Sequence, residues 1–353
     1  MLQLETTQQQ QLSHRKMFWL VVAFIIIAAV GLLYVKWWPY YNKSILAANQ
    51  HSIGSSILGN TANATFSWHS ALDYSVAYFQ SVWKAAILGI LLGSLLQVLL
   101  PTFWLLKILG KTSFGSTAIA GIASVPGMMC TCCAAPMAVG LRKKNVSVGA
   151  ALAFWIGNPM INPATLIFMT FVLSWKFTII RLVFGLILTF GVSYLANRFT
   201  KDTQPIDVEQ YIHDDDKQEG SFLVRWFKSL GSMLLYIVPS YVLSVLLLGA
   251  VRVWLFPELS GSVANSLIAI IIFAIAGMIF VIPTAAEIPI IQTFLSLGFG
   301  GGPAGALLIT LPAISLPSLL IVAKSFPKKV LLFVITSVVI IGLVSGLIGK
   351  FVL

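Results

Sequence analysis

Every cysteine of this chain falls within one heptapeptide, Cys130-Thr131-Cys132-Cys133-Ala134-Ala135-Pro136. Thiolates bind soft, thiophilic species such as Cu(I) or trivalent arsenic, and two or three sulfurs from one loop can meet a single such centre. Neighbouring residues of a helix do not readily reach disulfide geometry, so free thiols are expected. They either contact a substrate or pack as small apolar groups, as buried cysteines also do. A resident metal is not expected, because no histidine and no fourth cysteine lies nearby.

A second rare group is Glu287, set in Val281-Ile282-Pro283-Thr284-Ala285-Ala286-Glu287-Ile288-Pro289; the other acids lie near the ends of apolar blocks or in loops. An ionised carboxylate within hydrocarbon is costly and marks function. It suits a proton carrier, or an acid bonded to backbone amides that a helix break leaves free. A third candidate is Asn158-Pro159-Met160-Ile161-Asn162-Pro163-Ala164, whose two asparagines are four apart and share one helical face. They would satisfy proline-freed carbonyls or contact solute. Asn162-Pro163-Ala164 also matches the tripeptide that aquaporins carry once in each half; the second half here reads Leu311-Pro312-Ala313. Lys84 is the one basic residue placed well inside a block, where it would snorkel to an interface or pair with Glu287. No histidine falls inside a block and no phosphate-binding loop is present, which argues against a histidine relay, ATP hydrolysis and enzymatic activity, and no cofactor is implied.

The elements that must hold these residues are membrane helices. Of the 353 residues 58% are hydrophobic and 9% are charged, against about 25% charged in soluble domains. The solvent facing most of this chain must be lipid. The net charge of +11 fits the Lys and Arg excess of cytoplasmic loops rather than nucleic acid, for which no motif is present. Apolar blocks of spanning length occupy 17–35, 74–106, 113–141, 146–174, 177–197, 229–250, 263–296, 304–323 and 330–349. The first follows His14, Arg15 and Lys16 and is followed by Lys36, Trp37 and Trp38, which reads as an uncleaved anchor with an interfacial aromatic pair rather than a signal peptide.

Four blocks carry mid-block prolines in pairs: Pro126 and Pro136, Pro159 and Pro163, Pro283 and Pro289, Pro312 and Pro317. Each proline frees a carbonyl that needs a partner inside the protein or a water-filled cavity. Adding 153 to Pro136, Gly149 and Pro159 gives Pro289, Gly302 and Pro312, which predicts two homologous halves. Charge then chooses the topology. If every block spans once, Lys and Arg divide about 10 inside to 11 outside. If 113–141 and 263–296 are re-entrant hairpins, they divide 15 to 5, as the positive-inside rule prefers. The arm 263–282 is apolar enough to span alone, so the second hairpin stays open at this point. Three spans plus one hairpin per half invert the second half relative to the first, as alternating-access transporters often do.

The predicted fold is therefore all-α: a polytopic transmembrane helical bundle with two inverted repeats, each with broken or re-entrant helices. The predicted parts are an N-terminal anchor and extracytoplasmic loop (1–73), repeat 1 (74–200), a cytoplasmic polar linker (201–228) and repeat 2 (229–353). With these motifs in place the chain resembles the bacterial predicted-permease family that includes the organoarsenical efflux permeases (ArsP-like). The resemblance is carried by Cys130-Thr131-Cys132-Cys133-Ala134-Ala135-Pro136, then Gly140-Leu141 and Gly149-Ala150-Ala151, and by Ile282-Pro283 through Pro289 with Pro312 to Pro317. It covers roughly 74–350 and departs from the family pattern at Cys133, which replaces a glycine.

The resemblance implies efflux of a small thiophilic or metalloid solute. The expected site comprises Cys130, Cys132, Cys133, Asn158, Asn162 and Glu287, with Glu287 coupling transport to protons. The expected partners are a small-molecule or ion substrate and the lipid bilayer, with no nucleic acid; a homo-oligomer is left open. The expected location is the bacterial inner membrane, with a cytoplasmic N-terminus. A passive channel and a thiol-dependent sulfur-compound carrier are the alternatives.

Overall fold

Long apolar runs satisfy their backbone groups in lipid as helices unless they close into a barrel, and most of the described residues are helical. The computed structural model describes residues 18–58, 67–200, 221–256 and 266–353; among them there is no strand. The charged run Asp214-Asp215-Asp216 and most of the 201–228 linker lie outside the described residues. Seven helical segments are long and apolar enough to cross a membrane. They are α1 (Phe18–Gln50), α2 (Trp68–Leu99), the broken pair α6 (Val148–Met160) and α7 (Pro163–Val172), α8 (Trp175–Phe199), α9 (Phe222–Leu255), the broken pair α12 (Gly301–Ala313) and α13 (Leu316–Val322), and α14 (Lys328–Val352).

The remaining helices are too short to span. Helix α3 (Thr102–Leu109) follows Pro101, and two pairs flank breaks: α4 (Phe114–Ser124) with α5 (Thr131–Lys143), and α10 (Leu267–Ile279) with α11 (Glu287–Ser296). A helix of 13 residues is about 20 Å long, against roughly 30 Å of hydrocarbon. Both pairs fold back on themselves. Ser147 N–H donates to the Leu109 carbonyl at 3.0 Å and Lys144 Nζ to Thr102 Oγ1 at 3.0 Å, so the chain after α5 returns to α3, the helix that leads into α4. In the second pair Phe273 packs against Phe294 and Phe299, at 5.3 and 5.4 Å between ring centroids. A Cβ on Gly302 would touch the Ile270 side chain at 2.9 Å. The second break is therefore a hairpin too, and α10 is too short to span by itself.

The 153-residue offset is visible in the element boundaries. It carries the start of α4 (114) onto that of α10 (267), α6 (148–160) onto α12 (301–313), and α8 (175–199) onto α14 (328–352). The broken spans are the most enclosed, with 78% and 83% of their residues buried against 17% in α1. The outer helices present Ile25, Val30, Val76, Leu235 and Leu332 outward, the face that lipid covers.

The largest difference in boundary from the sequence reading is in the first span. The first span does not end near Lys36; α1 continues to Gln50, through a π-helical turn at Leu33–Trp37. That turn directly precedes Pro39. A proline cannot donate to the carbonyl four residues back, and the wider π spacing absorbs the mismatch. The turn also points Lys36 inward, leaving it only 4% exposed.

Candidate functional site

The first hairpin turns at its tip through Val125–Gly127 and a left-handed Met128, and Cys130 caps α5. The three thiols are buried and free. Cys130 Sγ donates to Cys133 Sγ at 3.1 Å, whereas Cys132 Sγ lies 3.4 Å from Ser315 Oγ on another side of the helix. Thus two sulfurs form a pair and the third faces α13. The tip is held against α2 by close backbone packing: a Cβ on Gly89 would lie 2.1 Å from the Cys133 carbonyl oxygen.

The second hairpin's tip is an extended Phe280–Pro283 segment followed by a turn with Ala285 in the left-handed region, and Glu287 opens α11. Tyr74 Oη donates to the Val281 carbonyl, pinning the segment to α2. Glu287 is 2% exposed, and its Oε1 accepts from Arg181 Nη2 at 3.3 Å; Oε2 has no hydrogen-bond partner among the described residues.

Arg181 is the residue sequence reasoning missed. It lies wholly buried on α8, donating from Nε to the Met160 carbonyl (3.1 Å), from Nη2 to the Pro159 carbonyl (2.8 Å), and from Nη1 to the Leu308 carbonyl. An α-helix would pair the carbonyls of 159 and 308 with the N–H groups of 163 and 312, but both of those residues are proline. The guanidinium therefore supplies donors that both broken spans lack, and Glu287 balances its charge. The prolines carried that signal; Arg181 itself, set in an apolar run, did not.

The two tips and both broken spans meet at one small cavity. Cys130 and Thr131 from the first tip, Thr284 and Glu287 from the second, and Pro159 and Pro312 from the breaks all line it. Its volume is about 10 Å³, room for roughly one water. Helices α5, α7 and α11 begin beside it, and helix N-termini favour negative charge.

Of the six candidate residues, Cys130 and Glu287 line this cavity, and Cys133 stands directly behind Cys130. Asn162 caps α7, its Oδ1 accepting from the Ala164 and Thr165 N–H groups at 3.0 and 3.3 Å. Asn158 Nδ2 donates to the Phe154 carbonyl at 2.8 Å, and its Oδ1 lies against Gly127 behind the first tip. The asparagines thus brace the break. The suggested Lys84–Glu287 pair does not form. Lys84 is on an exposed face, 5.6 and 5.5 Å from the Tyr34 and Trp83 ring centroids. The aromatic rings hold its cation on that surface.

Comparison with known proteins agrees with this architecture. A family model described as "Predicted permease" matches residues 120–351. The UPF0718 protein YraQ of Escherichia coli is 50% identical over 93% of this chain and 94% of its own length. The UPF0718 protein MJ0584 of Methanocaldococcus jannaschii is 30% identical over 36% of each chain. The UPF0718 protein YcgR of Bacillus subtilis is 22% identical over 75% of this chain and 91% of its own. No solved structure matches.

Proposed function

This chain belongs to the predicted-permease family, and from that premise we propose that it is a secondary transporter for a small thiophilic or metalloid solute. The carrying observation is that Cys130 and Glu287, the rare reactive side chains of two separate hairpins, line one cavity where both broken spans are interrupted. Hydrocarbon tolerates such groups only beside a solute path. The Cys130–Cys133 pair, with its sulfurs 3.1 Å apart, is the soft ligand set. Cys132, Asn158 and Asn162 shape its surroundings.

The two halves are read as inverted repeats that rock about this centre, with transport outward as the family resemblance implies. The arrangement described is the closed one, since a cavity of about 10 Å³ is too small for any solute beyond a water. The Arg181–Glu287 pair is the latch. Arg181 is fixed to both broken spans, and Glu287 belongs to the second hairpin's tip. Protonating Glu287 removes the charge that holds the tip against Arg181, so proton uptake releases the hairpin. A passive channel would instead need a continuous path past both tips.

Transport into proteoliposomes tests this reading, with phenylarsine oxide as the uncharged thiophilic probe and an imposed pH gradient as the driving force. Wild-type protein should concentrate the probe, C130S/C133S should lose at least tenfold in rate, and Glu287→Gln should lose the response to pH. Flux that ignores the gradient in wild type and E287Q alike would refute proton coupling.

A further inference from the structure

A larger cavity, about 410 Å³, lies on the other side of the second hairpin's tip from the Cys130 site. It is walled by α1, the segment after it, α2 and residues 283–289, with Lys36, Tyr40, Lys43, Ser55, Ser56 and Thr284 among its lining groups. It opens outward at Ser55 and Ser81, which are exposed. Among the described residues no aspartate or glutamate lines it.

Lys36 is its unusual member. The π turn carries this side chain inward, where Nζ donates to Tyr40 Oη at 3.0 Å and to Thr284 Oγ1 at 3.1 Å. Among the described residues no carboxylate stands within ion-pair distance of it. A buried cation whose hydrogen-bond partners are two hydroxyls, with the Cys130 and Cys133 thiols as its other electrostatic neighbours and no carboxylate beside it, is costly, and Lys43, facing the same space, adds like charge. Such a pocket is stabilised when an anion enters. The next side chain inward is Thr284, which lines both this cavity and the Cys130 cavity. Trp37, beside Lys36, donates from Nε1 to the Pro126 carbonyl at 2.8 Å, so the same turn of α1 grips both hairpin tips. Helix α1 lies outside the family match, which begins at residue 120.

We propose that this cavity is a vestibule that binds small oxyanions, and that the solute exchanged between it and the thiols is an oxyanion carrying a soft atom. The vestibule stands on its own geometry; the soft atom rests on the function proposed above. A hydroxyl-lined pocket with two lysines and no acid among its lining residues suits a sulfur oxyanion of the thiosulfate type, which carries both the charge and a soft sulfur. Thr284 stands between the two cavities, so the anion passes between Cys130 and the vestibule at a hydroxyl.

Binding to the purified full-length protein at constant ionic strength separates the two readings. Thiosulfate and sulfate are the anionic probes, and phenylarsine oxide reports the thiol site. Both anions should bind saturably and at least tenfold more weakly to K36Q and to K43Q, while Lys36→Arg retains affinity. Lys43 is only partly buried, so K43Q keeps the test sound if K36Q does not fold. Anion affinities equal in wild type and K43Q, or no saturable anion binding by wild type, would overturn the vestibule. Absence of phenylarsine oxide binding would strike the thiol site alone, and lysine-dependent anion binding would still support the vestibule.

Discussion

Arg181 shows how a single buried charge can be demanded by backbone chemistry elsewhere. Pro163 and Pro312 each remove an N–H from a helix, leaving the carbonyls of Pro159 and Leu308 without their usual donors, and one guanidinium answers both. Its fixed fork of donors suits it for this as lysine's point charge is not. Arg181→Met should therefore cost about 3–5 kcal/mol, the range for breaking a buried ion pair, because it also strands Glu287 and three carbonyls. Glu287→Gln keeps a polar group beside Arg181 and should cost about 1–3 kcal/mol. Thermal unfolding in detergent of both single variants and of R181M/E287Q reads these losses. The double variant should lose less than the sum, since the two side chains share one interaction. Glu287 was legible as a lone acid in an apolar run. Arg181 was not, because basic residues near a block end usually reach an interface, and only the proline pairs register its role.

Helical hairpins are harder to read than spans because hydropathy reports what a segment touches, not which way it turns. The segment 263–282 is apolar enough to cross, yet α10 stops at Ile279 and the chain turns back through Pro283. What exposed the first hairpin was charge: Arg142, Lys143 and Lys144 would otherwise lie outside. In the structure the chain after α5 returns to α3, the helix that leads into α4. In a variant with all native thiols replaced by serine, single cysteines at Lys111 and Lys143 should react with an impermeant maleimide from the same membrane face. Labelling from opposite faces would mean that 113–141 crosses. Packing sets a second test. Gly89 lets α5 lie directly on α2, and a Cβ there would sit 2.1 Å from the Cys133 carbonyl oxygen. Small residues at such crossings allow backbones to approach. Gly89→Ala should thus cost about 1–3 kcal/mol, as overpacking does, and displace the thiols, reading out as a lower melting temperature and weaker arsenical binding.

At the level of the whole molecule, the 153-residue offset makes one construction serve twice. It was legible from three residues, Pro136, Gly149 and Pro159, because only positions that break or closely pack a helix resist drift in an otherwise interchangeable apolar sequence. The chemistry is not duplicated: thiols occupy one tip and a carboxylate the other, so the halves are alike in backbone and unlike in function. The extent of α1 was the less legible part, since Trp37, Trp38 and Pro39 imitate the end of a span while the π turn carries the helix past them. Seven crossings give the topology a parity that can be measured. An odd number of spans puts the two ends of the chain on opposite faces, so the proposed cytoplasmic N-terminus puts the C-terminus outside. In the proposed topology, three crossings per half, with each hairpin returning to the side it left, would also turn the second half over relative to the first. A reporter that folds only in the cytoplasm should therefore be active when fused before residue 1 or after Phe199, and inactive when fused after Leu353. Activity at both ends would require an even number of crossings, and the inverted relation between the halves would fall with it.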